Sequence, residues 1–462
     1  MAEPVFEPGA GPVATVILVN YNGAHLLPDC LSALRTQTLV GRFETWVVDN
    51  ASWDGSLDLL RRDYPEVRVL PSPTNTGFAG GNNLALRELR TPYAVLLNND
   101  ARPEPDWLER LLEPFTQPGG ERVGAVTSKI LFLPRFLPVS FETAGFSPGP
   151  HDARQLGVRI LDVLVDDVPV TDAVLWESST YPPEGSGDGR FRWSRPAGTF
   201  LVPLPPGIPA GAAVRLTLRW TAERTKELRL HGPDGTTTTA TVPVDEVAAH
   251  VVRVPTDKAV DVINNVGGIV LRSGYGADRG YQEIDEGRYD EPEDVFLISG
   301  AAVALRSEAL ADVGVFDDDF FLYYEDTDLS WRLHLRGWRV RYEPGAVVRH
   351  IHSATSKEWS PLFVFHVDRN RLLMLTKDAT ARLAVREVLR YPLTTASMTV
   401  RAARVLLRER RRPALRPLAL RARVMASYLR LLGPMLARRR AIRGQASARR
   451  SEVEARWLVE SR

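Results

Sequence analysis

The sequence predicts an α/β fold: an open parallel sheet with helices packed over it, an inserted all-β domain of sandwich or jelly-roll type, and a C-terminal helical basic tail. Three observations predict it. Four continuous apolar runs recur between Val13 and Asp100, each followed by a helical or turn-forming stretch. From about Gly145 to Gly274 the texture turns to Pro, Gly and Thr with short alternating runs. From Lys377 to Arg462 there are 22 Lys and Arg against 6 Asp and Glu. A chain of 462 residues is too long for one simple core. On these textures it divides into residues 1–144, 145–275, 276–376 and 377–462.

The apolar runs are Ala14–Val19, Thr45–Val48, Val67–Leu70 and Ala94–Leu97. Continuous apolar strands suit a sheet covered on both faces, hence parallel pairing with crossover helices. Each run ends in polar residues: Asn20-Tyr21-Asn22-Gly23, Asp49-Asn50, Asn75-Thr76-Gly77 and Asn98-Asn99-Asp100. Open α/β sheets build their ligand crevice at the carboxyl ends of their strands, so these residues are the first candidates for a site. In the insert, Ala213–Trp220, Glu227–His231 and Thr236–Val242 read as strands. Its Trp176, Trp193 and Trp220 fit a core better than a sugar-binding face, since aromatic residues of small β domains are usually buried. The α/β texture resumes near Val295 and runs to about Leu375. Beyond it come two or three Arg-rich helices punctuated by Pro392, Pro413, Pro417 and Pro434.

A net charge of +1 hides an asymmetry, because the tail carries +16 and the rest −15. A basic tail with Arg-Leu-Leu alternation over Val400–Leu436 suits an anionic membrane surface, although a solvated hairpin or partner-binding arm reads equally well. Nucleic acid is not expected as a partner, because the tail lacks aromatic interleaving and the acidic body repels phosphate. Cys30 is the only cysteine, which excludes an internal disulfide and fits a reducing compartment. Met1 to Gly11 is acidic and Pro-rich rather than a signal pattern, and no apolar run reaches membrane-spanning length. The expected location is cytoplasmic, with peripheral attachment to the inner face of the plasma membrane as the tail's contribution.

The richest stretch chemically runs from Phe320 to His352. Tyr324-Glu325-Asp326-Thr327-Asp328 opens a short helix that Leu329, Leu333 and Leu335 anchor and Gly337 ends, and His350 and His352 follow. A carboxylate at that helix mouth can act as a base, although Asp and Glu are also ordinary first-turn residues. Asp100, after a buried strand, is placed to hold a hard divalent ion against a diphosphate, and His350 to complete the shell. Asp49-Asn50-Ala51-Ser52 reads as an Asx turn or as a group accepting from a base or ribose. Gly77, Gly80 and Gly81 cost chain entropy within five residues, which close backbone approach to a ligand would justify.

Together with Gly300-Ala301-Ala302, Gly314-Val315-Phe316-Asp317, Trp331-Arg332-Leu333 and Gly337-Trp338, these motifs resemble a family 2 inverting glycosyltransferase with the GT-A nucleotide-sugar-binding fold. The chain is similar to the bacterial branch of rhamnosyltransferases and galactofuranosyltransferases of cell-envelope glycans. The likeness covers about Val13–Ser140 and Tyr289–Thr355 and leaves out the β insert. It implies that Asn20 and Asp49 contact the nucleotide and that Asn75, Gly77 and Asn82 line the nucleotide-sugar pocket. Asp326 would be the catalytic base, with Glu325 and Asp328 as supporting or acceptor-binding acids and Trp331 among the substrate-binding residues. Asp100 matches the last acid of an Asp-X-Asp metal motif whose first acid is here Asn98, and His350 matches the histidine that completes the shell of Mg2+ or Mn2+. The implied partners are a nucleotide-sugar donor, with rhamnose as first guess, and a glycan or polyprenyl-lipid-linked glycan acceptor. Two other readings share the shape. One is a non-catalytic glycan-binding scaffold; the other is a sugar nucleotidyltransferase, which would show a Gly-rich phosphate loop where this chain has Val19-Asn20-Tyr21-Asn22.

Overall fold

Alternating strand and helix carry the first hundred residues. A computed structural model of the chain describes residues 11–150, 152–176, 179–185, 187–209, 211–351, 360–409 and 415–460. The opening elements are β1 (Ala14–Asn20), α1 (Leu27–Arg35), β2 (Phe43–Asp49), α2 (Ser56–Asp63), β3 (Arg68–Pro71), α3 (Gly77–Leu86) and β4 (Tyr93–Leu97). The four strands coincide with the four apolar runs, and β1 pairs in parallel with both β2 and β4, as β2 does with β3. Next come β5 (Ala101–Pro103), α4 (Trp107–Thr116) and β6 (Val123–Phe132). Leu27, Leu31 and Leu34 of α1 and Trp107, Leu108, Leu111 and Leu112 of α4 bury against Val16, Leu18, Val47 and Val95 of the sheet.

The chain divides into two compact units. The second comprises Phe132–Ile263 with Gln282–Glu286. Its strands are β7 (Phe136–Thr143), β8 (Arg159–Val165), β9 (Val168–Pro169), β10 (Arg192–Trp193), β11 (Ala197–Pro203), β12 (Ala213–Thr221), β13 (Lys226–His231), β14 (Thr237–Val242) and β15 (Ala248–Pro255). They form one sheet in the order β10-β8-β12-β15, with β9 beside β8, and another in the order β11-β7-β13-β14. Alternating residues of both, including Val139, Phe141, Val163, Phe200, Leu218 and Leu230, fill one core, so the unit is a β-sandwich. Trp176 and Trp220 lie in that core and Trp193 is 4% exposed, which makes them packing residues. The sandwich begins before residue 145 because β7 already pairs with β11 and β13, ahead of the Pro and Gly texture.

The first unit resumes with β16 (Ile263–Asn265), β17 (Gly268–Leu271), β18 (Gly276–Asp278), β19 (Glu293–Asp294), β20 (Ala302–Arg306), α5 (Ser307–Val313), α6 (Glu325–Leu335) and β21 (Arg339–His350). The main sheet runs β19-β21-β6-β20-β4-β1-β2-β3, and β20 lies antiparallel between β4 and β6. Then follow α7 (Pro361–Asp378), α8 (Ala381–Glu409), α9 (Arg416–Gln445), α10 (Arg450–Trp457) and β22 (Leu458–Val459).

The tail is part of this unit. Leu383, Ala384 and Tyr391 of α8 and Val424, Tyr428 and Met435 of α9 bury with Trp331, Leu335 and Leu372–Leu375. Its arginines turn inward as well: Arg438 reaches Asp317 and Asp319, Arg439 donates to the Thr376 and Ala379 carbonyls, and Arg450 donates to the Asp378 carbonyl. Of the expected punctuating prolines, Pro417 opens α9, but Pro392 and Pro434 lie inside helices. At Pro392 the Arg421 guanidinium donates to the Tyr391 carbonyl and the Thr394 and Thr395 hydroxyls, cross-bracing the turn. Pro413 and His352 lie outside the described residues. Among the described residues no helix is long and apolar enough to cross a membrane.

Candidate functional site

The carboxyl ends of β1, β2 and β4 are tied by polar side chains. Asn20 is fully buried. Its Nδ2 faces Asp49 at 3.4 Å and donates to Ser52 Oγ at 3.2 Å, while its Oδ1 accepts from Asn99 at 2.8 Å. Asp49, also buried, accepts the Ser52 N–H. Both residues therefore sit at the expected edge, but their buried atoms are largely engaged in holding the three strand ends together. The groups nearer solvent are Tyr21 and Trp53, packed edge to face at 5.3 Å, with Trp53 76% exposed. Sequence reading passed over Trp53 because a single aromatic after an Asx turn carries no motif.

Asn50, read only as part of that turn, organises the next segment. Its Oδ1 accepts from the Thr76 N–H and hydroxyl, and its Nδ2 donates to Asn75 Oδ1 and the Gly77 carbonyl. Asn75 remains exposed at the rim. The glycines answer to the protein rather than to a ligand. Gly77 has φ +72°, and a Cβ there would lie 2.2 Å from the Phe321 carbonyl oxygen. A Cβ on Gly81 would meet Val19 at 2.7 Å. Close approach is required, as expected, but the partner is the chain itself. Asn82 is likewise turned inward, 1% exposed and donating to the Phe78 carbonyl one turn back, so it does not line a pocket.

Beside Asn99 the chain brings Asn98, Asp100 and His350 together. β5 pairs with the end of β21 so that Ala101 faces His350, and the Ile351 N–H donates to the Asp100 carbonyl. His350 Nε2 then lies 3.0 Å from Asp100 Oδ1 and 3.2 Å from Asn98 Nδ2. Two strong ligand types and one weak one converge. Among the described residues no three His, Cys, Asp or Glu side chains do so, which is the consequence of Asn98 standing where an acid would make the third.

The acidic run occupies the first turn of α6, where the helix dipole favours negative charge. Asp326 is partly accessible and accepts the Thr327 N–H at 2.6 Å. Burial pushes its carboxyl up to about 6; the Thr327 hydrogen bonds and the Gly300 N–H oppose that rise, and the Asp278 charge adds to it. Glu325 is 5% exposed, and its pKa is raised well above the usual range, by burial first and then by the Asp326 charge. Gly300 connects Asp326 to the strand edge, since the next residue, Ala301, accepts the Asn98 N–H.

Asp328 and Trp331 belong elsewhere. Asp328 is fully buried between Arg332 at 2.9 Å and Lys377 at 2.6 Å. Burial alone would raise its pKa, but the Lys377 and Arg332 charges outweigh it and hold the carboxyl down at about 2. Trp331 is fully buried beside Phe296. Neither reaches a substrate. The reason is helical period: Asp328 and Trp331 lie two and five positions beyond Asp326, on faces that turn into the core.

Sequence reading also missed α7, whose His366, Asp368, Arg369, Asn370 and Arg371 are all buried. Ahead of α6, Phe321, Tyr323 and Tyr324 have φ of 65°, 66° and 71°, a conformation that costs side-chain-bearing residues roughly 1–3 kcal/mol each. Asn370 Nδ2 donates to the carbonyls of Phe320, Leu322 and Tyr323 at 2.9, 2.9 and 2.7 Å. Arg369 reaches the carbonyls of Asp319 and Phe320. This helix holds the turn that presents Asp326. Asn370→Ala is expected to lower unfolding stability by about 1–3 kcal/mol, because the Leu322 and Tyr323 carbonyls lose the amide that binds them and the Phe320 carbonyl keeps only Arg369 and the Leu322 N–H. Thermal melts check this, and an unchanged melting temperature would refute the bracing role.

Residues 15–130 match the family described as Glycosyl transferase family 2, and residues 287–384 match Glycosyl transferase family group 2. Both stretches are thus of glycosyltransferase family 2 type. The two matches flank the β-sandwich in the sequence and contain the residues of the site just described apart from Asp278. Among curated relatives, the pre-mycofactocin glycosyltransferase of Mycobacterium tuberculosis is 34% identical over 114 residues, 21% of this chain and 24% of that protein. Glycosyltransferase AglE of Haloferax volcanii is 29% identical over 117 residues, 24% of this chain and 38% of that protein. The poly-beta-1,6-N-acetyl-D-glucosamine synthase of Staphylococcus aureus is 46% identical over 53 residues, 12% of each. The chain thus spans well under half the length of each of these relatives.

Proposed function

We propose that this chain transfers a sugar from a nucleoside-diphosphate donor to a hydroxyl acceptor with inversion, Asp326 being the base. The observation that carries the reading is Asp326 itself: a partly accessible carboxylate, raised to about 6 by burial, at a helix N-terminus on the carboxyl edge of the sheet. A hydroxyl is a poor nucleophile until its proton is removed, and a base titrating near the working pH removes it most effectively. Asp326 takes that proton, and burial together with the Asp326 charge pushes Glu325 toward its neutral form, which lessens the second charge set against it. The crevice framed by Asn20, Asp49 and Asn75 receives the nucleotide, with Trp53 and Tyr21 as its apolar rim.

Asp100, His350 and Asn98 fit a hard divalent ion, Mg2+ or Mn2+, that keeps its remaining positions for diphosphate oxygens and water. When bound, such an ion neutralises the charge that grows on the departing nucleoside diphosphate. The acceptor is a glycan or polyprenyl-lipid-linked glycan of the cell envelope, and rhamnose is the first donor to test. Two of the relatives named above carry glycosyltransferase names and the third is a polysaccharide synthase, which supports the reaction class and no particular sugar.

Calorimetric binding of UDP, dTDP and GDP, with Mn2+ or Mg2+ and then with EDTA, tests the reading. Metal-dependent binding of one nucleotide is the expected result, and no binding of any would overturn the donor site. Asp100→Ala should weaken that binding by about tenfold or more, since second partners of a metal site already matter at the 10–100-fold level. Asn98→Asp should strengthen it by supplying a second acid beside Asp100 and His350. Unchanged metal dependence in both variants would remove these residues from the site.

A further inference from the structure

The inner face of α8 is buried, but its outer face is not covered. Leu383, Ala384, Glu387 and Tyr391 point into the core. On the opposite side Val385, Leu389, Leu393, Ala396, Val400, Ala403 and Leu407 follow one another at steps of four or three residues. At 100° per residue they fall within an arc of about 80°, a continuous apolar seam of roughly 33 Å. All seven are exposed, Leu393 by 69% and Leu407 by 79%. Arg390, Arg401 and Arg404, also exposed, run along one flank of the seam. Between Ala381 and Leu407 the sole acid is Glu387, which is buried and paired with Arg371, and α9 contains no acid at all.

A seam with steps of four and three would also suit a second copy of this helix. Charge argues against that occupant. The residues beside the seam are arginines with no acid to meet, so two copies would set cation against cation, and Ala396 and Ala403 offer a facing helix little to grip. An anionic bilayer satisfies both features: its interface accepts the apolar stripe, and its headgroups attract the arginines.

We propose that the outer face of α8 docks on an anionic lipid surface, with Val385–Leu407 lying in the plane of the interface. The docking face is thus α8, while α9, within the span first expected to face the membrane, buries Val424, Tyr428 and Met435 in the core. The inference needs no particular donor or acceptor and stands apart from the proposed reaction.

Flotation of the full chain with phosphatidylcholine vesicles, and with vesicles of equal parts phosphatidylcholine and phosphatidylglycerol, tests it. The chain should float with the anionic vesicles, and binding to neutral ones should be weaker by about tenfold or more. The quadruple variant Leu389→Gln, Leu393→Gln, Val400→Gln and Leu407→Gln changes exposed side chains only, and its circular dichroism and melting temperature should match the parent's. It should lose flotation, and Arg390→Gln, Arg401→Gln and Arg404→Gln together should lose the preference for anionic vesicles. No flotation of the parent, equal binding to both vesicles, or undiminished flotation of the quadruple variant would each overturn the proposal. So would a parent that stays unbound but forms a dimer which the quadruple variant loses, which would assign the seam to a second copy.

Discussion

Asp326→Asn is expected to lower the transfer rate by about 10²–10⁴-fold, the usual contribution of a general base, while nucleotide affinity stays within about twofold. The amide keeps the shape of the carboxylate and can still accept the Thr327 N–H, so the first turn of α6 should survive the change. What it removes is the lone pair that takes the acceptor's proton. The same carboxyl sets a pH limb. With Asp326 raised to about 6, kcat/KM of the parent should fall as pH drops through that value, because only the ionised form is a base. The linkage runs the other way for stability. A carboxyl raised in the folded state stabilises the fold when protonated, and that contribution is lost as pH rises from the usual Asp range through about 6. At neutral pH the Asn variant should therefore be more stable than the parent, by at most about 3 kcal/mol. A dead variant that melts higher and still binds nucleotide identifies a base whose ionisation opposes folding. Equal loss of binding and transfer, or a kcat/KM profile without the acid limb, would remove Asp326 from that role.

The sheet was legible because its signal is local and repeated. Val16, Leu18, Val47 and Val95 sit in continuous apolar runs, and the polar residue closing each run marks the strand's carboxyl end. The β-sandwich was legible from alternation in Ala213–Thr221, but its first strand was not, since Phe136–Thr143 reads like a continuation of the preceding apolar strand. At the proposed site, Asp100, His350 and Asp326 drew attention because they follow a strand, close one and open a helix. Asp328 and Trp331 were misassigned because membership of a motif says nothing about which way a helical side chain turns. The bracing by Asn370 and Arg369 could not be seen at all. It joins residues some fifty positions apart, and the strain it holds, three left-handed residues before α6, is a backbone property that Phe and Tyr do not advertise. A helix with polar side chains buried all along it has no amphipathic stripe to reveal what it faces.

Lys377→Met should be the most destabilising single change outside the apolar core, costing about 3–5 kcal/mol. Lys377 Nζ bridges Asp317 at 2.7 Å and Asp328 at 2.6 Å, all three nearly or fully buried. Asp378, next in the chain, is also fully buried and hydrogen-bonded to Asp328. Burial and then the Asp328 charge raise its carboxyl well above the usual range, which favours its protonated form. Removing the ammonium leaves two carboxylates with only Arg332 and Arg438 to offset them. Methionine fills the space but cannot neutralise charge, and the remaining cations are already committed, Arg332 to Asp328 and Arg438 to both Asp317 and Asp319. The deficit should depend on pH in a definite direction. In the parent, Asp328 is held at about 2, which adds stability above the ordinary Asp value that is lost only as pH falls through about 2. In the variant that protection is gone, so protonation relieves the buried charge and the gap between parent and variant should narrow as pH falls below the ordinary Asp range. Lys377→Met combined with Asp328→Asn should recover part of the loss, because the amide needs no counter-charge. Denaturant melts of the three proteins across pH decide it: a gap that stays constant with pH, or a double variant no better than the single, would mean that Lys377 contributes packing rather than charge. The consequence reaches the site, since Asp317 also binds Arg438 of α9, and the turn it opens leads directly into the strained segment that presents Asp326.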